Sequence, residues 1–492
     1  MSRQLWSAAL ILLVSSGSAF GATKGKASKE NGLKLTEGLA EYQVFQRDKG
    51  DKADISFGGT CSASGPVEAR ILKDQSPLKG FDWKAVGKAA DGTWHAKLTG
   101  VPVGGEYTIE ARVAGGSAGC VVEHVLVGDL WLLAGQSNMD GVGDIDDRIV
   151  KPMPLLHSYE SRERWAVAEE PLLWLNESPD AVHNKNWKDW PKNLVDLGKR
   201  RRSKGASLGM PFGAMMVKET GVAVGLVPCS HGGTSMAQWD PALKGQAGGS
   251  LYGSMLRRFH AVGGKVAGVL WYQGESDANP KASQIFAKVF TDFVAAVRSD
   301  FGDPDLPFYW VQIGRHIALS GEEDWNRVQE AQRVLPAKIP NTACVAAIDL
   351  ELDDAIHIGT SGNKRLGRRL AKIALRNRFG RTQYQPGPQL KSVHLEADGR
   401  RVRITFEHVN GKLHPAEHIA GFSICDAKGA LFQSMYDARV DPANGCCVLL
   451  DLQHPAKEGM VLWYGEGKMP YCNLVDCEDM AAMVAGPIPL KP

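Results

Sequence analysis

Hydrophobic and polar positions divide the chain into three regimes. From Leu35 to about Glu123 the pattern is of short strands broken by Gly, Asp and Pro. Tyr107, Ile109, Ala111 and Val113 alternate with Thr108, Glu110 and Arg112, the period of two that marks a half-buried strand. Ala53-Asp54-Ile55-Ser56-Phe57 and Ala69-Arg70-Ile71-Leu72 extend this pattern. Together they predict a small antiparallel β-sandwich, entered through a Lys-, Gly- and Ser-rich linker, over residues 22–124. Over 125–380 five apolar runs read as parallel strands: Val125–Leu133, Val222–Pro228, Val266–Tyr272, Phe308–Ile313 and Cys344–Ile348. Helical periods lie between and after them, clearest at Phe286, Val289, Phe290, Phe293, Val294 and Val297, and again at Leu366, Leu370, Ile373 and Ala374. Strands alternating with helices predict an α/β fold with a doubly wound parallel sheet. Over 381–492 alternation returns, with Val402, Ile404 and Phe406 between charged residues, and predicts a second β-sandwich.

The ends of the apolar runs carry the chemistry. Such sheets bind ligands at the carboxyl ends of their strands. The first run stops at Gly135, and Gln136-Ser137-Asn138 follow. A serine on that turn has an exposed hydroxyl, and backbone N–H groups beyond it can meet a developing negative charge. Ser137 therefore reads as a nucleophile. The second run leads into Ser230-His231-Gly232-Gly233-Thr234, and the third ends in Gln273-Gly274-Glu275-Ser276. Asp354-Ala355-Ile356-His357 supplies an acid and a base three residues apart. A histidine, with a usual pKa of about 6.5, suits proton transfer from a serine. On spacing alone Asp354, Asp353 or Glu351 can orient it. Glu275 has two readings: a hydrogen bond or ion pair to the nucleophile loop, or an extra acid near His357, with the structural ion pair preferred. Trp239 and Asp240 follow at a distance that reaches the crevice.

These four blocks, in this order, resemble the SGNH/GDSL hydrolase superfamily in its sialate O-acetylesterase branch, with the related acetylxylan esterases of carbohydrate esterase family six. The likeness covers roughly Val125 to Phe379, with a weaker extension through Tyr42-Gln43-Val44-Phe45-Gln46-Arg47. It implies an SGNH-hydrolase-like, flavodoxin-like sheet and a triad of Ser137, His357 and Asp354. It also implies an oxyanion site built from the N–H groups of Ser137 and Gly233 (or Gly232) and the amide of Gln273, where the wider superfamily uses Asn. Loss of one such donor typically costs roughly 3–4 kcal/mol. Gln136, Asn138, Gly232, Glu275 and Trp239 are expected to support the site or the substrate. The reaction implied is hydrolysis of acetyl esters on a saccharide, with no cofactor or metal. Ile358-Gly359 follow the histidine where the sialate branch usually has Pro, and Leu208–Met216 is closer to the acetylxylan branch. Rival readings are a lipid or thioester hydrolase on the same scaffold, or a non-catalytic glycan-binding protein.

Composition adds limits. A net charge of +2 over 492 residues gives no reason to expect nucleic acid as a partner. Arg3, the apolar Leu5–Val14 and the small residues Ala19 and Gly21 read as a secretory signal peptide over 1–21, so an exported protein is expected. No other run reaches transmembrane length, so an integral membrane protein is not expected. Export permits disulfides among the nine cysteines: Cys61 with Cys120, and one or two bridges among Cys425, Cys446, Cys447, Cys472 and Cys477. Cys229 and Cys344 read as buried thiols. Within the long connection Met139–Lys204, Trp174, Trp187 and Trp190 either stack on a sugar or pin the loop. The Lys199–Arg202 run reads as a solvated face or as an attractor of an acidic saccharide.

Overall fold

A computed structural model of the chain describes residues 32–117, 119–184, 203–318, 320–426 and 428–491. The expected leader lies outside them. One strand, Cys120–Gly135, organises the molecule. Its first residues alternate buried and exposed, and from Val125 every position is buried. That change of pattern is a change of environment: an antiparallel sheet can face water on one side, whereas a parallel strand is covered on both. The amino-terminal half pairs antiparallel with Gly104–Val113. The carboxyl-terminal half runs parallel between Ala223–Pro228 and Gly268–Tyr272.

The N-terminal β region and the α/β region therefore share one continuous sheet. The sequence boundary at 124/125 falls inside its central strand. Apart from Val44–Gln46, which runs parallel beside Leu126–Gly128, the β region is antiparallel, and it curls on itself, since Leu33–Glu37 touches the sheet's opposite end at Gly104–Val113 and Cys120–Gly135. Ile55, Val67, Ile71, Trp94, Leu98 and Ile109 fill its core.

All five apolar runs become parallel strands. Across the sheet the order is Ala223–Pro228, Cys120–Gly135, Gly268–Tyr272, Phe308–Gln312, Thr342–Ala346, which is 2-1-3-4-5 in chain order. A sixth parallel strand, Leu156–Tyr159, lies outside Ala223–Pro228. Its sequence, Leu-His-Ser-Tyr, has no apolar run to betray it, and His157 is buried there with Nδ1 2.7 Å from the Tyr42 carbonyl. The helices form two packed groups: Gly209–Thr220 on Thr360–Phe379, and Leu251–Ala261 beside Ala282–Phe301, which packs on Glu322–Val334. None of the helices among the described residues is long and apolar enough to cross a membrane.

The C-terminal region has a four-stranded and a three-stranded sheet that share a core, with Val402, Ile404, Val448 and Leu450 on one side and Ile424 and Leu462 on the other. Its junction with the α/β region is polar and specific. Asp349 pairs with Arg365 and Arg369 at 2.7 Å each, and both arginines reach Asp479. Asp129, 1% exposed at its side chain, does the same on the other side with Arg47 and Arg378. Removing one partner of such a buried network leaves an uncompensated charge, which typically costs about 3–5 kcal/mol.

All nine cysteines are free thiols, which corrects the expected bridges. The Cys61 Sγ donates to the Thr93 carbonyl, while Cys120 pairs in register with Ala111 on another strand. Cys229 and Cys344 are buried, and burial raises both thiol pKa values, Cys229 to about 11.

Candidate active site

The nucleophile turn is set by Gly135. Its φ is +134°, and a Cβ there would lie 2.1 Å from the Tyr272 carbonyl oxygen. Only glycine lets the strand end this close to its neighbour. Gln136 N then donates to Tyr272 O at 2.8 Å, and residues Ser137–Asp140 make a single helical turn. Met139 and Asp140 donate back to Gln136 O. The N–H groups of Ser137 and Asn138 head that turn with no intrahelical acceptor.

Three segments distant in sequence meet at Ser137. Its hydroxyl donates to His357 Nε2 at 2.9 Å. On the far side of the ring, Nδ1–H donates to Asp354 Oδ2 at 2.7 Å. The other Asp354 oxygen accepts the N–H groups of Ile356 and His357 at 2.9 and 2.8 Å. Burial works against the Asp354 charge, but these N–H donors and the imidazole outweigh it and bring the carboxyl down to about 2. A permanently ionised Asp354 fixes the tautomer that leaves Nε2 bare toward Ser137. The two other acids near His357 are engaged elsewhere: Asp353 with Asp144 N and Lys204, and Glu351 with Gly362 N.

The Gly232-Gly233 turn lies against the nucleophile. A Cβ on Gly232 would sit 3.5 Å from Ser137 Cβ, and Gly233 has a left-handed φ of +69° with open space beside it. His231 N anchors this turn to Gly135 O at 3.0 Å.

Asn138 ties the nucleophile turn to the histidine loop. Its Nδ2 donates to Glu275 Oε1 (2.8 Å) and to Ile356 O (3.3 Å), and its Oδ1 accepts Ile358 N (3.0 Å), so it grips both sides of His357. Glu275 enters no ion pair among the described residues, which corrects the preferred reading; it is the acceptor for Asn138. Burial raises its pKa. Gln136 is buried beneath the turn, and its amide nitrogen is best placed 3.2 Å from Thr234 O and 3.3 Å from Glu275 Oε2.

Gln273 departs from its expected role. Its amide nitrogen donates to Thr234 O at 3.1 Å and to Asp277 Oδ2, so both amide protons are engaged away from an oxyanion. Asp277, which also accepts Met236 N at 2.9 Å, was not foreseen. Its only sequence signal is its position four residues after Gln273. Trp239 is fully buried, donates to Thr234 Oγ and packs edge-on against Trp271; it braces the glycine turn and cannot stack on a sugar. Trp174 is half-buried. Trp187, Trp190 and the Lys199–Arg202 run lie outside the described residues.

A family model for carbohydrate esterases, sialic acid-specific acetylesterase, matches residues 127–376, and the whole triad falls within that span. The chain belongs to this family. It is 33% identical over 271 residues to a probable carbohydrate esterase of Arabidopsis thaliana, a match spanning 50% of this chain and 90% of the relative. It is 23% identical over 390 residues to the sialate O-acetylesterase of Rattus norvegicus, covering 65% and 68% of the two chains. A solved carbohydrate acetylesterase from Xanthomonas citri shares the fold, with a TM-score of 0.64 at 23% identity over 92% of this chain and 99% of that one. Family membership makes the protein a hydrolase of acetyl esters.

Proposed function

We propose that the protein is an exported carbohydrate O-acetylesterase. Its substrates are acetyl esters on sugars, either sialate 9-O-acetyl groups or an acetylated polysaccharide such as xylan. The observation that carries this reading is the unbroken contact from Ser137 Oγ through His357 to Asp354, at 2.9 and 2.7 Å. The 2-1-3-4-5 order of the five core strands, with Leu156–Tyr159 added outside them, supports the SGNH-type, flavodoxin-like scaffold. Export rests on the leader, with Arg3 ahead of the apolar Leu5–Val14.

In this mechanism Ser137 Oγ attacks the acetyl carbonyl as its proton passes to His357 Nε2. The tetrahedral oxyanion is met by the backbone N–H groups of Ser137 and the Gly232-Gly233 turn. His357 returns the proton to the departing sugar oxygen, leaving acetyl-Ser137. A water then loses its proton to Nε2 and attacks the acetyl group, and acetate leaves as Ser137 regains its proton.

The test is acetate release from acetylated xylan, O-acetylated sialic acid and p-nitrophenyl acetate. Ser137→Ala is expected to lower kcat by about 10⁵–10⁶-fold on every substrate that wild type turns over. Equal rates in the two proteins remove Ser137 from its role.

A further inference from the structure

The loop that follows Phe308–Gln312 leaves the sheet at the same edge as Ser137, His231 and Gln273. It touches the triad loop directly: Ile317 N donates to Ala355 O, between Asp354 and His357, at 2.7 Å. The preceding residue touches the C-terminal β region, with His316 N donating to Lys468 O at 2.8 Å. Two backbone hydrogen bonds thus link the triad loop, through residues 316 and 317, to Lys468-Met469-Pro470-Tyr471.

That C-terminal turn is held firmly. The Lys468 side chain is nearly buried, with Nζ donating to Ser320 O at 2.6 Å and lying over the Trp325 ring. Asn326, also buried, donates to the carbonyls of Gly465 and Gly467 and accepts Gly467 N at 2.7 Å. Pro470 restricts the backbone further. Three apolar side chains on these anchored segments are nevertheless exposed. Ile317 is 60%, Met469 49% and Tyr471 70% exposed. Singly scattered exposed apolar side chains are ordinary; these three are set apart by the backbone hydrogen bonds that tie their segments to one another and to the triad loop.

We propose that Ile317, Met469 and Tyr471 form a rim that contacts the sugar units flanking the acetylated one. The rim rests on the esterase reading above. The occupant follows from the family and the position. Members are carbohydrate esterases. Where a saccharide has its acetyl group at Ser137, flanking units that pass the Asp354–His357 loop would meet Ile317 first, and a tyrosine ring and flat aliphatic faces suit the C–H faces of pyranose rings. The rim is supplied jointly by the α/β region and the C-terminal β region, so the latter takes part in choosing long substrates.

The experiment compares wild type with Tyr471→Ala and with Ile317→Ser/Met469→Ala on p-nitrophenyl acetate, acetylated xylan fragments and O-acetylated sialyllactose. All three side chains are exposed, so an unchanged Tm is expected. On p-nitrophenyl acetate, kcat/KM should stay within about twofold of wild type. On the saccharide that wild type hydrolyses, KM should rise about tenfold with kcat nearly unchanged, equivalent to the loss of about one ring-stacking contact. Unchanged KM on that saccharide overturns the rim and leaves the esterase reading standing. Equal loss on both substrate types also overturns it, because the residues would then act on the triad. If wild type releases acetate from no saccharide, the esterase reading fails first and the rim falls with it.

Discussion

The two sides of the crevice contrast in how they treat a carboxylate. On the outer wall, Asp354 is 46% exposed at its side chain, receives two backbone N–H groups and an imidazole, and is held ionised well below the usual range. On the floor, Glu275 is buried, receives the Asn138 amide, and is pushed the other way by burial. The same functional group therefore has two duties, decided by the number of donors and by solvent. The wall carries a fixed charge that sets the histidine tautomer. The floor holds the wall and the nucleophile in register.

The largest expected effect falls on the wall. Asp354→Asn keeps the side chain's shape but replaces an acceptor with an amide that satisfies Nδ1 in the wrong tautomer. A fall in kcat of about 10⁴-fold is expected, with KM and Tm little changed. A loss below tenfold would mean that Asp353 or Glu351 can take over, contrary to their engagement with Lys204 and Gly362.

The floor predicts a smaller and different response. Gln273→Ala removes both donors to Thr234 O and Asp277. Stability should drop by about 1–2 kcal/mol, since Asp277 keeps Met236 N but loses its amide partner. kcat should fall less than about tenfold. A donor to the oxyanion would instead cost about 10²–10³-fold in kcat with little change in stability. Measuring both quantities on one variant separates the two roles, and a pure kcat effect would falsify the assignment of Gln273 to the floor.

The contrast also explains what could be read in advance. Ser137 and His357 were legible because each requirement is local: a polar turn after an apolar run, and a base close after a cluster of acids. Spacing left Glu351, Asp353 and Asp354 open, and the family resemblance singled out Asp354. The alternating and then continuous burial of Cys120–Gly135 was legible for the same reason, although a single strand serving two regions was not, because the pattern marks environments and not chain breaks. The direction of the Gln273 amide depends on Thr234 and Asp277, which no spacing brings together. Trp239, expected to reach the crevice, is instead fully buried beneath it, because sequence gives ring type but not exposure. Free cysteines escaped because the pairing of thiols depends on Cα distance, which composition does not carry.

The smallest effect expected is also the sharpest test of the floor. Burial raises the Glu275 pKa, so the native state holds this proton more tightly than the unfolded chain does. The contribution of the group is therefore complete below the ordinary carboxylate range and is lost as pH rises through the native value. Glu275→Gln keeps an oxygen to accept from Asn138 Nδ2 and removes the ionisable charge. The new amide nitrogen would face Gln136, whose own amide can turn over to accept from it. In urea unfolding the variant should match wild type near pH 4 and become the more stable protein toward pH 8, by on the order of 1 kcal/mol. Its kcat should remain within about tenfold, because Glu275 hydrogen-bonds Asn138 and no member of the triad among the described residues. A variant less stable than wild type at every pH would mean that the carboxylate is itself stabilising, and the floor would then be an electrostatic partner of His357 and not merely its support.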